Sequence, residues 1–295
     1  MSEALAEAVA RVWPDGRSTW EVLGGGITNH NVKVTRPDGV VVLRVAGKDT
    51  DLLGIDRTVE LAATRAAAEV GVGPEVVDFV EPEGWLVTRF VEGSNPPPET
   101  LREPEQLRRV ARALRAFHHG PAIPGRFDGL EVVEAYRDTA VERGAVVPDA
   151  FAPAHELARR IAELRADQPP RACHNDLLNA NFIDDGERLV IVDWEYAGMG
   201  DPFFDLANFS INHELDAEGR AVLLAAYAGD AHAAGLAALD LQRFMSDFRE
   251  AMWGVVQGVV SELDFDFAAY AAEHFERMER TATAYEVPAD TGYSS

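Results

Sequence analysis

Residues 172–208, ACHNDLLNANFIDDGERLVIVDWEYAGMGDPFFDLAN, decide the fold of this chain. Two short apolar runs, NFI and LVIV, flank a turn-rich stretch, a pattern that predicts a β-hairpin. The polar residues lie on both sides of that hairpin: His174, Asp176 and Asn181 come before it, and Asp193 ends its second strand. The segment therefore predicts a polar loop carried by a hairpin.

These residue types are the ones that phosphoryl transfer requires. A carboxylate accepts the proton of the substrate hydroxyl, and an amide oxygen and a second carboxylate hold Mg²⁺ against the phosphates. The spacing H-x-D-x-x-x-x-N offers Asp176 as the catalytic base and Asn181 as a metal ligand, and the hairpin returns Asp193 as another ligand. Hard oxygen ligands without sulfur suit Mg²⁺. His174 belongs to the same loop, where we expect it to act as a hydrogen-bonding scaffold rather than a proton carrier.

The residues before this segment predict a phosphate cover and a cation. The run LGGGITNHNVKV contains flexible backbone that can approach phosphates closely. Its expected nucleotide contacts are Gly25, Gly26, Thr28 and Asn29. In VVLRVAG, on the third predicted strand, Arg44 is the available cation, and Glu60 on the following helix is its expected ion-pair partner. The alternative for Arg44 is a solvated strand arginine.

Strand and helix patterns divide the chain into two predicted lobes. From Trp20 to Arg89 it reads mostly as strands and turns, with one helix between about Ile55 and Val70. The Pro-rich stretch EGSNPPPE then predicts a hinge, and helical patterns dominate after it. We therefore predict an α+β chain. Residues 1–92 form an N-lobe with a five-stranded sheet and a helix, and residues 93–295 form a mainly helical C-lobe.

The amino-acid composition limits the classes of binding partner that we expect for this chain. The 50 acidic residues outnumber the 27 basic ones, for a formal net charge of −23. Such a surface repels phosphate backbones, so we expect neither nucleic-acid binding nor docking on an anionic membrane, whereas a cationic substrate is attracted. The single cysteine, Cys173, rules out an intrachain disulfide and suits a cytoplasmic location. The residues indicate no particular oligomeric state.

Several stretches together resemble the choline/ethanolamine kinase family, whose relatives include the aminoglycoside phosphotransferases: LGGGITNHN, LRVAGKDTDLLGIDRTVE, LVTRFVEG, CHNDLLNANFI, IVDWEYAGMGDPFFDLAN and AMWGVVQ. The bacterial choline kinases are the nearest group. The resemblance implies a bilobal protein-kinase-like fold and the use of ATP and Mg²⁺. It also supports the roles given above to the loop, the hairpin and the Arg44–Glu60 pair. It further implies that the backbone from Arg89 to Val91 holds adenine and that Asp205 braces the catalytic loop.

The resemblance also points to substrate residues. Choline kinases are expected to surround a quaternary ammonium with aromatic faces and carboxylates, and Trp253 matches one such tryptophan. Glu250 replaces a further tryptophan of eukaryotic members, and Asn212 stands where a carboxylate is frequent. Glu195 and Tyr196 complete the expected substrate site. Trp253 is alternatively a core residue of an amphipathic helix.

The expected function is phosphorylation of the hydroxyl of a small cationic alcohol. Choline leads, followed by ethanolamine and thiamine. One alternative is a kinase of an aminoglycoside, a sugar or another natural product. A second is a nucleotide-binding pseudokinase, which the presence of base, metal ligands and phosphate cation argues against. The choice between ATP and GTP stays open.

Overall fold

The computed structural model describes residues 2–24, 29–47, 50–261 and 263–283. The chain divides into two compact units. The first comprises Met1–Phe127 and Pro169–Ala231, and the second comprises Asp128–Gln168 and His232–Ser295. The predicted lobe boundary at residue 92 falls inside the first unit and stays a prediction.

The predicted strand and helix segments are present. The strands are β1 (Thr19–Leu23), β2 (Asn29–Arg36), β3 (Gly39–Ala46), β4 (Val76–Val80), β5 (Trp85–Arg89), β6 (Arg171–Cys173), β7 (Phe182–Asp184), β8 (Leu189–Ile191) and β9 (Gly198–Gly200). The helices are α1 (Ser2–Val12), α2 (Arg57–Glu69), α3 (Pro98–Leu101), α4 (Pro104–His118), α5 (Gly129–Glu142), α6 (Phe151–Arg165), α7 (Pro202–Asn212), α8 (Ala217–Ala228), α9 (Ala233–Val260) and α10 (Phe267–Thr283).

Strands β1 to β5 form one antiparallel sheet in the order β1-β2-β3-β5-β4. Successive side chains of a strand point to opposite faces of a sheet, and β3 uses both faces. Val41 and Leu43 are buried in a core with Leu5 and Val9 of α1. Arg44 lies at the opposite parity and is therefore directed to the other face, so β3 holds this arginine on a rigid, well-packed support.

Helix α2 begins at a strong capping residue. Asp56 accepts hydrogen bonds through Oδ1 from the backbone N–H groups of Thr58, at 2.8 Å, and Val59, at 3.3 Å. This satisfies N–H groups that have no partner inside the helix. The cap fixes Arg57 as the first helical residue and Glu60 three positions later, and residues at that spacing share one helix face.

The polar loop of the first unit lies among short strands and buried helices. β7 pairs with β8, with Phe182 opposite Ile191, and this is the hairpin expected from the sequence. β6 pairs with β9. Phe117 of α4 packs against Trp194 with 4.3 Å between ring centroids. The site residues therefore stand on a dense apolar base.

The second unit consists of α5, α6, α9 and α10. Phe248 of α9 packs against Phe151 of α6 at 5.5 Å and against Phe275 of α10 at 6.4 Å between ring centroids. Among the described residues, no single helix has the length and apolarity to cross a membrane. Helices α8 and α9 meet such a test only when taken together as one broken segment.

Candidate active site

The β7–β8 hairpin brings the two expected metal ligands to the same place. Asn181 immediately precedes β7, and the backbone N–H of Val192, just after β8, donates to the carbonyl of Asn181 at 2.9 Å. Asp193 follows with a φ of 68°, in the left-handed region that few non-glycine residues adopt. This turn ends the strand and places the carboxylate beside Asn181 at the edge of the hairpin.

The catalytic loop is held by side chains of its own segment. The amide of Asn181 donates through Nδ2 to the backbone carbonyl of Asp176 at 2.7 Å. His174 is fully buried. Its Nε2 lies 2.9 Å from the Val192 carbonyl and its Nδ1 lies 3.2 Å from the Asp176 N–H. Burial lowers the pKa of His174, so the ring is neutral, with Nε2 as donor and Nδ1 as acceptor. These contacts are those of a scaffold for the loop.

Asp205 of α7 holds the backbone of the same loop, which confirms the bracing role that we expected for it. Its carboxylate accepts hydrogen bonds from the backbone N–H groups of His174, at 2.8 Å, and Asn175, at 2.7 Å. Its Oδ2 also lies 2.9 Å from Nε2 of His118. Burial by itself would raise the pKa of Asp205, but the hydrogen bonds and charges of His118 and His174 together outweigh it, and the pKa falls below its usual value. A buried anion therefore fixes the loop backbone.

Arg44 connects the sheet to both Glu60 and Asp193. Its Nη1 pairs with Glu60 Oε1, and its Nη2 lies 2.5 Å from Asp193 Oδ1. Burial alone would lower the pKa of Arg44, but the charges of Asp193, Glu60 and Glu195 raise it well above the usual value. The guanidinium is therefore a permanent cation, held between a helix carboxylate and a predicted metal ligand.

Arg44 and its two carboxylate partners face one cavity of ≈ 330 Å³ in the first unit. Apolar side chains of the sheet and the hairpin, among them Val42 and Ile183, line one part of it, next to the backbone of Arg89–Val91. Charged and amide groups also line it, among them Arg44, Glu60, Asn181 and Asp193. The cavity thus combines apolar and polar lining groups. Of the predicted phosphate cover, Gly25, Gly26 and Thr28 lie outside the described residues.

Arg57 is a site residue that sequence reasoning missed. Its Nη2 donates to Asn29 Oδ1 at 2.9 Å, and its Nη1 lies 2.7 Å from Glu60 Oε2 and 3.3 Å from Glu195 Oε2. Asn29 also donates through Nδ2 to Glu195 Oε2 at 2.7 Å. The available signal was the helix position: Arg57 stands three residues before Glu60, on the same face of α2. Glu195, expected near the substrate, is buried in this network.

The other expected substrate residues are distributed over both units. In the first unit, Asn212 donates through Nδ2 to Asn208 Oδ1 at 3.3 Å, and the Tyr196 carbonyl accepts from Asn175 Nδ2 at 3.0 Å. Glu250 and Trp253 belong to the second unit. All these substrate assignments stay predictions.

Within the second unit, Trp253 is part of an aromatic cluster. Its ring centroid lies 5.5 Å from that of Tyr270 and 5.9 Å from that of Phe267. The Tyr270 hydroxyl donates to Glu250 Oε2 at 2.9 Å, and Glu250 Oε1 pairs with Arg249. Glu250 is thus a buried, paired carboxylate, and Trp253 is 7 % exposed in an electron-rich aromatic surrounding.

Comparisons with known proteins show the family and the fold of the chain. A family model described as "Phosphotransferase enzyme family" matches residues 19–241. The chain is similar to the solved structure of a choline/ethanolamine kinase family protein from Mesorhizobium loti, with 32% identity and a TM-score of 0.80, covering 98% of this chain and 96% of that one. This likeness confirms the expected α+β, protein-kinase-like fold and the resemblance drawn from the sequence motifs.

The chain is also similar in sequence to two curated relatives. Protein LicA of Haemophilus influenzae is 28% identical over 209 residues, which are 69% of this chain and 61% of LicA. Ethanolamine kinase 1 of Mus musculus is 24% identical over 330 aligned residues, covering 94% of this chain and 88% of the mouse protein. The chain thus spans about three fifths of LicA and most of the mouse protein.

Proposed function

Because the chain belongs to the phosphotransferase enzyme family, we propose that it transfers the γ-phosphoryl group of ATP to the hydroxyl of a small cationic alcohol. The observation that carries this proposal is the cavity of the first unit. Its lining joins the proposed phosphate cation, Arg44 with Glu60, to the proposed oxygen ligands Asn181 and Asp193. A structural ion-pair network would not require a cavity with an apolar part beside it.

In the proposed reaction the alcohol oxygen attacks the γ-phosphorus, and the bond from that phosphorus to the β–γ bridging oxygen breaks. ADP leaves, and the hydroxyl proton passes to the Asp176 carboxylate. Arg44 stabilises negative charge on the phosphates, an electrostatic contribution that a preformed site makes without reorganisation. The apolar surface near Val42 and Ile183 receives the adenine ring, with the Arg89–Val91 backbone at its edge.

The donor atoms present fit Mg²⁺. Asp193 Oδ1 is buried and contacts Arg44 as an ion pair, but it accepts no hydrogen bond from the described residues. Together with the Asn181 amide oxygen it offers hard oxygen ligands, the type that Mg²⁺ prefers. Bound there, Mg²⁺ would neutralise charge on the phosphates. The role of the protein is to hold both ligands on one rigid hairpin.

The proposed substrate class is supported by charge and by the relatives. The net charge of −23 favours cations over anions near the surface. The similar proteins include a choline/ethanolamine kinase family protein and an ethanolamine kinase. We therefore place choline first and ethanolamine and thiamine after it, in a cytoplasmic location suited to the buried Cys173 thiol.

One screen tests the proposal. The purified chain is incubated with ATP and Mg²⁺ and with choline, ethanolamine, thiamine, an aminoglycoside or a sugar. ADP release is measured, and the phosphorylated alcohol is identified by mass spectrometry. We expect a cationic amino alcohol to give the highest kcat/KM. Preference for the aminoglycoside or sugar would select the natural-product alternative, and nucleotide binding without any product would select the pseudokinase.

Substitution of Trp253 tests the assignment of the ammonium. A desolvated cation–π contact is worth ~2 kcal/mol. We therefore expect Trp253→Ala to raise the KM for the cationic alcohol about tenfold or more, with a smaller effect on kcat, because binding common to ground and transition state is lost. Trp253→Phe keeps an aromatic face and should retain most of the affinity.

Circular dichroism and thermal unfolding of both variants serve as the control. Unchanged KM in folded Trp253→Ala protein, or loss of folding as its sole effect, would make Trp253 a core residue of α9. Glu250→Gln extends the test, since removing this negative charge should weaken a primary amine more than a quaternary one.

A further inference from the structure

Five charged side chains next to the cavity form an alternating series of ion pairs. Taken in order of contact, the series is Asp193, Arg44, Glu60, Arg57 and Glu195. Glu195 follows Asp193 by two residues, so the backbone closes the series into a ring. We call it the charge ring. Each arginine in it lies between two carboxylates, so every charge has an opposite neighbour.

Arg57 occupies the part of the charge ring away from the cavity. Arg44, Glu60 and Asp193 line the cavity, whereas Arg57 is not among the described residues that do so. Its described contacts are with Asn29, Glu60 and Glu195, so we assign it a role through these side chains rather than at the phosphates. Arg57 holds the carboxylates that in turn hold Arg44 and Asp193.

We propose that Arg57 is a positioning residue for phosphoryl transfer, an inference that rests on the proposed function. Through Glu60 it fixes the carboxylate that orients Arg44, and through Glu195 it fixes the strand end that carries Asp193. Through Asn29 Oδ1, 2.9 Å away, it also holds the first residue of β2, three positions after Gly26. One guanidinium thus sets the distance between the phosphate cation, a metal ligand and the end of the predicted phosphate cover.

The contacts of Arg57 depend on the planar geometry of its guanidinium. A guanidinium presents donors in a fixed planar fork, whereas the lysine ammonium is a compact point charge on a flexible stem. In the structure, Nη2 serves Asn29 while Nη1 serves both Glu60 and Glu195. A lysine preserves the charge but lacks the two separate nitrogen donors that serve these three partners. Charge and positioning can therefore be separated by substitution.

The experiment compares Arg57→Gln and Arg57→Lys with the parent chain. Arg65→Gln is the matched control, because Arg65 is an exposed arginine on the same helix. Steady-state kinetics with the best alcohol give kcat and KM, calorimetry gives the Kd for ADP in the presence of Mg²⁺, and thermal unfolding reports folding. Small misplacements in a site cost ~10²-fold in rate, so we expect that loss in kcat for Arg57→Gln. Supporting residues of a metal site typically cost 10- to 100-fold in affinity, so we expect a Kd about tenfold weaker.

Arg57→Lys and Arg65→Gln test whether the loss depends on the geometry of arginine and on position 57. Arg57→Lys should fall between the parent chain and Arg57→Gln in kcat, and Arg65→Gln should stay within about twofold of the parent chain. If Arg57→Gln does not fold, the comparison uses Arg57→Lys, Glu195→Gln and the double variant Arg57→Lys/Glu195→Gln, in all of which Glu60 keeps its pair with Arg44. When Arg57 acts through Glu195, the double variant loses no more than the worse single variant, rather than the product of both losses.

Each outcome decides the inference. Arg57 variants with kcat and Kd within threefold of the parent, even at lower thermal stability, would overturn it and leave the proposed function intact. A parent chain that binds Mg-ADP but phosphorylates no alcohol would overturn the proposed function, and the Kd series would still judge Arg57. A parent chain without Mg-ADP binding would overturn both.

Discussion

Asp176→Asn is expected to lower kcat by ~10²-fold or more, because loss of a general base removes that much from a proton-transfer step. Binding should change little. Asp176 is not among the described residues that line the cavity, so the Kd for Mg-ADP should stay within about threefold of the parent value. The loop backbone is held by Asp205 and Asn181, and Asp176→Asn leaves both of these contacts in place. Kinetics and calorimetry on the same preparation measure both effects.

Asp167→Asn is the matched control, since it makes the same change at an exposed position in the second unit. It should leave kcat and Kd at the parent values. Activity of Asp176→Asn within a few-fold of the parent chain would remove Asp176 from the mechanism. A large loss of Mg-ADP affinity in Asp176→Asn would instead give this residue a role in binding.

Asp193→Ala should eliminate catalysis and weaken Mg-ADP binding, because the metal ion supplies charge neutralisation that the phosphates require. The ion pair between Asp193 Oδ1 and Arg44, at 2.5 Å, adds a more specific expectation. Removing the carboxylate releases Arg44, so ADP without Mg²⁺ should bind as well as to the parent chain, or better. The gain in affinity that Mg²⁺ gives the parent chain should disappear. Calorimetric titrations with and without Mg²⁺ separate the two effects.

Asp193→Asn is the companion variant, because it keeps one oxygen ligand and nearly the same shape without the charge. An affinity gain from Mg²⁺ between that of the parent chain and that of Asp193→Ala is expected. A nucleotide complex in which the metal contacts neither Asp193 nor Asn181 would refute the assignment. Equal loss of metal-free ADP binding would show that the substitution acts through the fold.

The hairpin and its loop could be predicted from sequence because their constraints are local. NFI and LVIV are short apolar runs, and the stretch DDGER between them is typical of a turn, so the pattern favours a hairpin. Asn181 and Asp193 then lie at the two ends of one hairpin, so spacing alone places them together. The same holds for Arg44 at its place in β3, because strand parity decides which face a residue occupies.

Side-chain partners across separate elements could not be predicted in the same way. Arg57 is adjacent in sequence to the helix cap and reads as a solvated residue, since its contacts with Asn29 and Glu195 depend on how β2, α2 and the loop after β8 pack. Glu195 stands beside a predicted metal ligand, and its ion pair with Arg57 is not visible in the sequence. Long-range packing sets these contacts, since Arg57 and Glu195 are 138 positions apart in the sequence.

In the second unit too, contacts between separate elements could not be predicted from the sequence. Helical periodicity predicted α9 but did not distinguish an aromatic face for a ligand from a core face, because both require large apolar residues at the same spacing. Trp253 contacts Phe267 and Tyr270 from the following helix. Those partners could not be assigned from the sequence of α9 alone.

Because the charge ring is buried, ionic strength should affect kcat and kcat/KM differently. Mobile ions screen exposed charges beyond about 8 Å at 0.15 M salt, but they screen buried pairs much less. Added salt should therefore leave kcat nearly constant, since the arginines of the ring have side chains only 11% and 13% exposed. The attraction of a cationic alcohol to a surface of net charge −23 is screened, so its kcat/KM should fall. A neutral alcohol gains nothing from that attraction, and salt thus reports the charge of the substrate without altering a single residue.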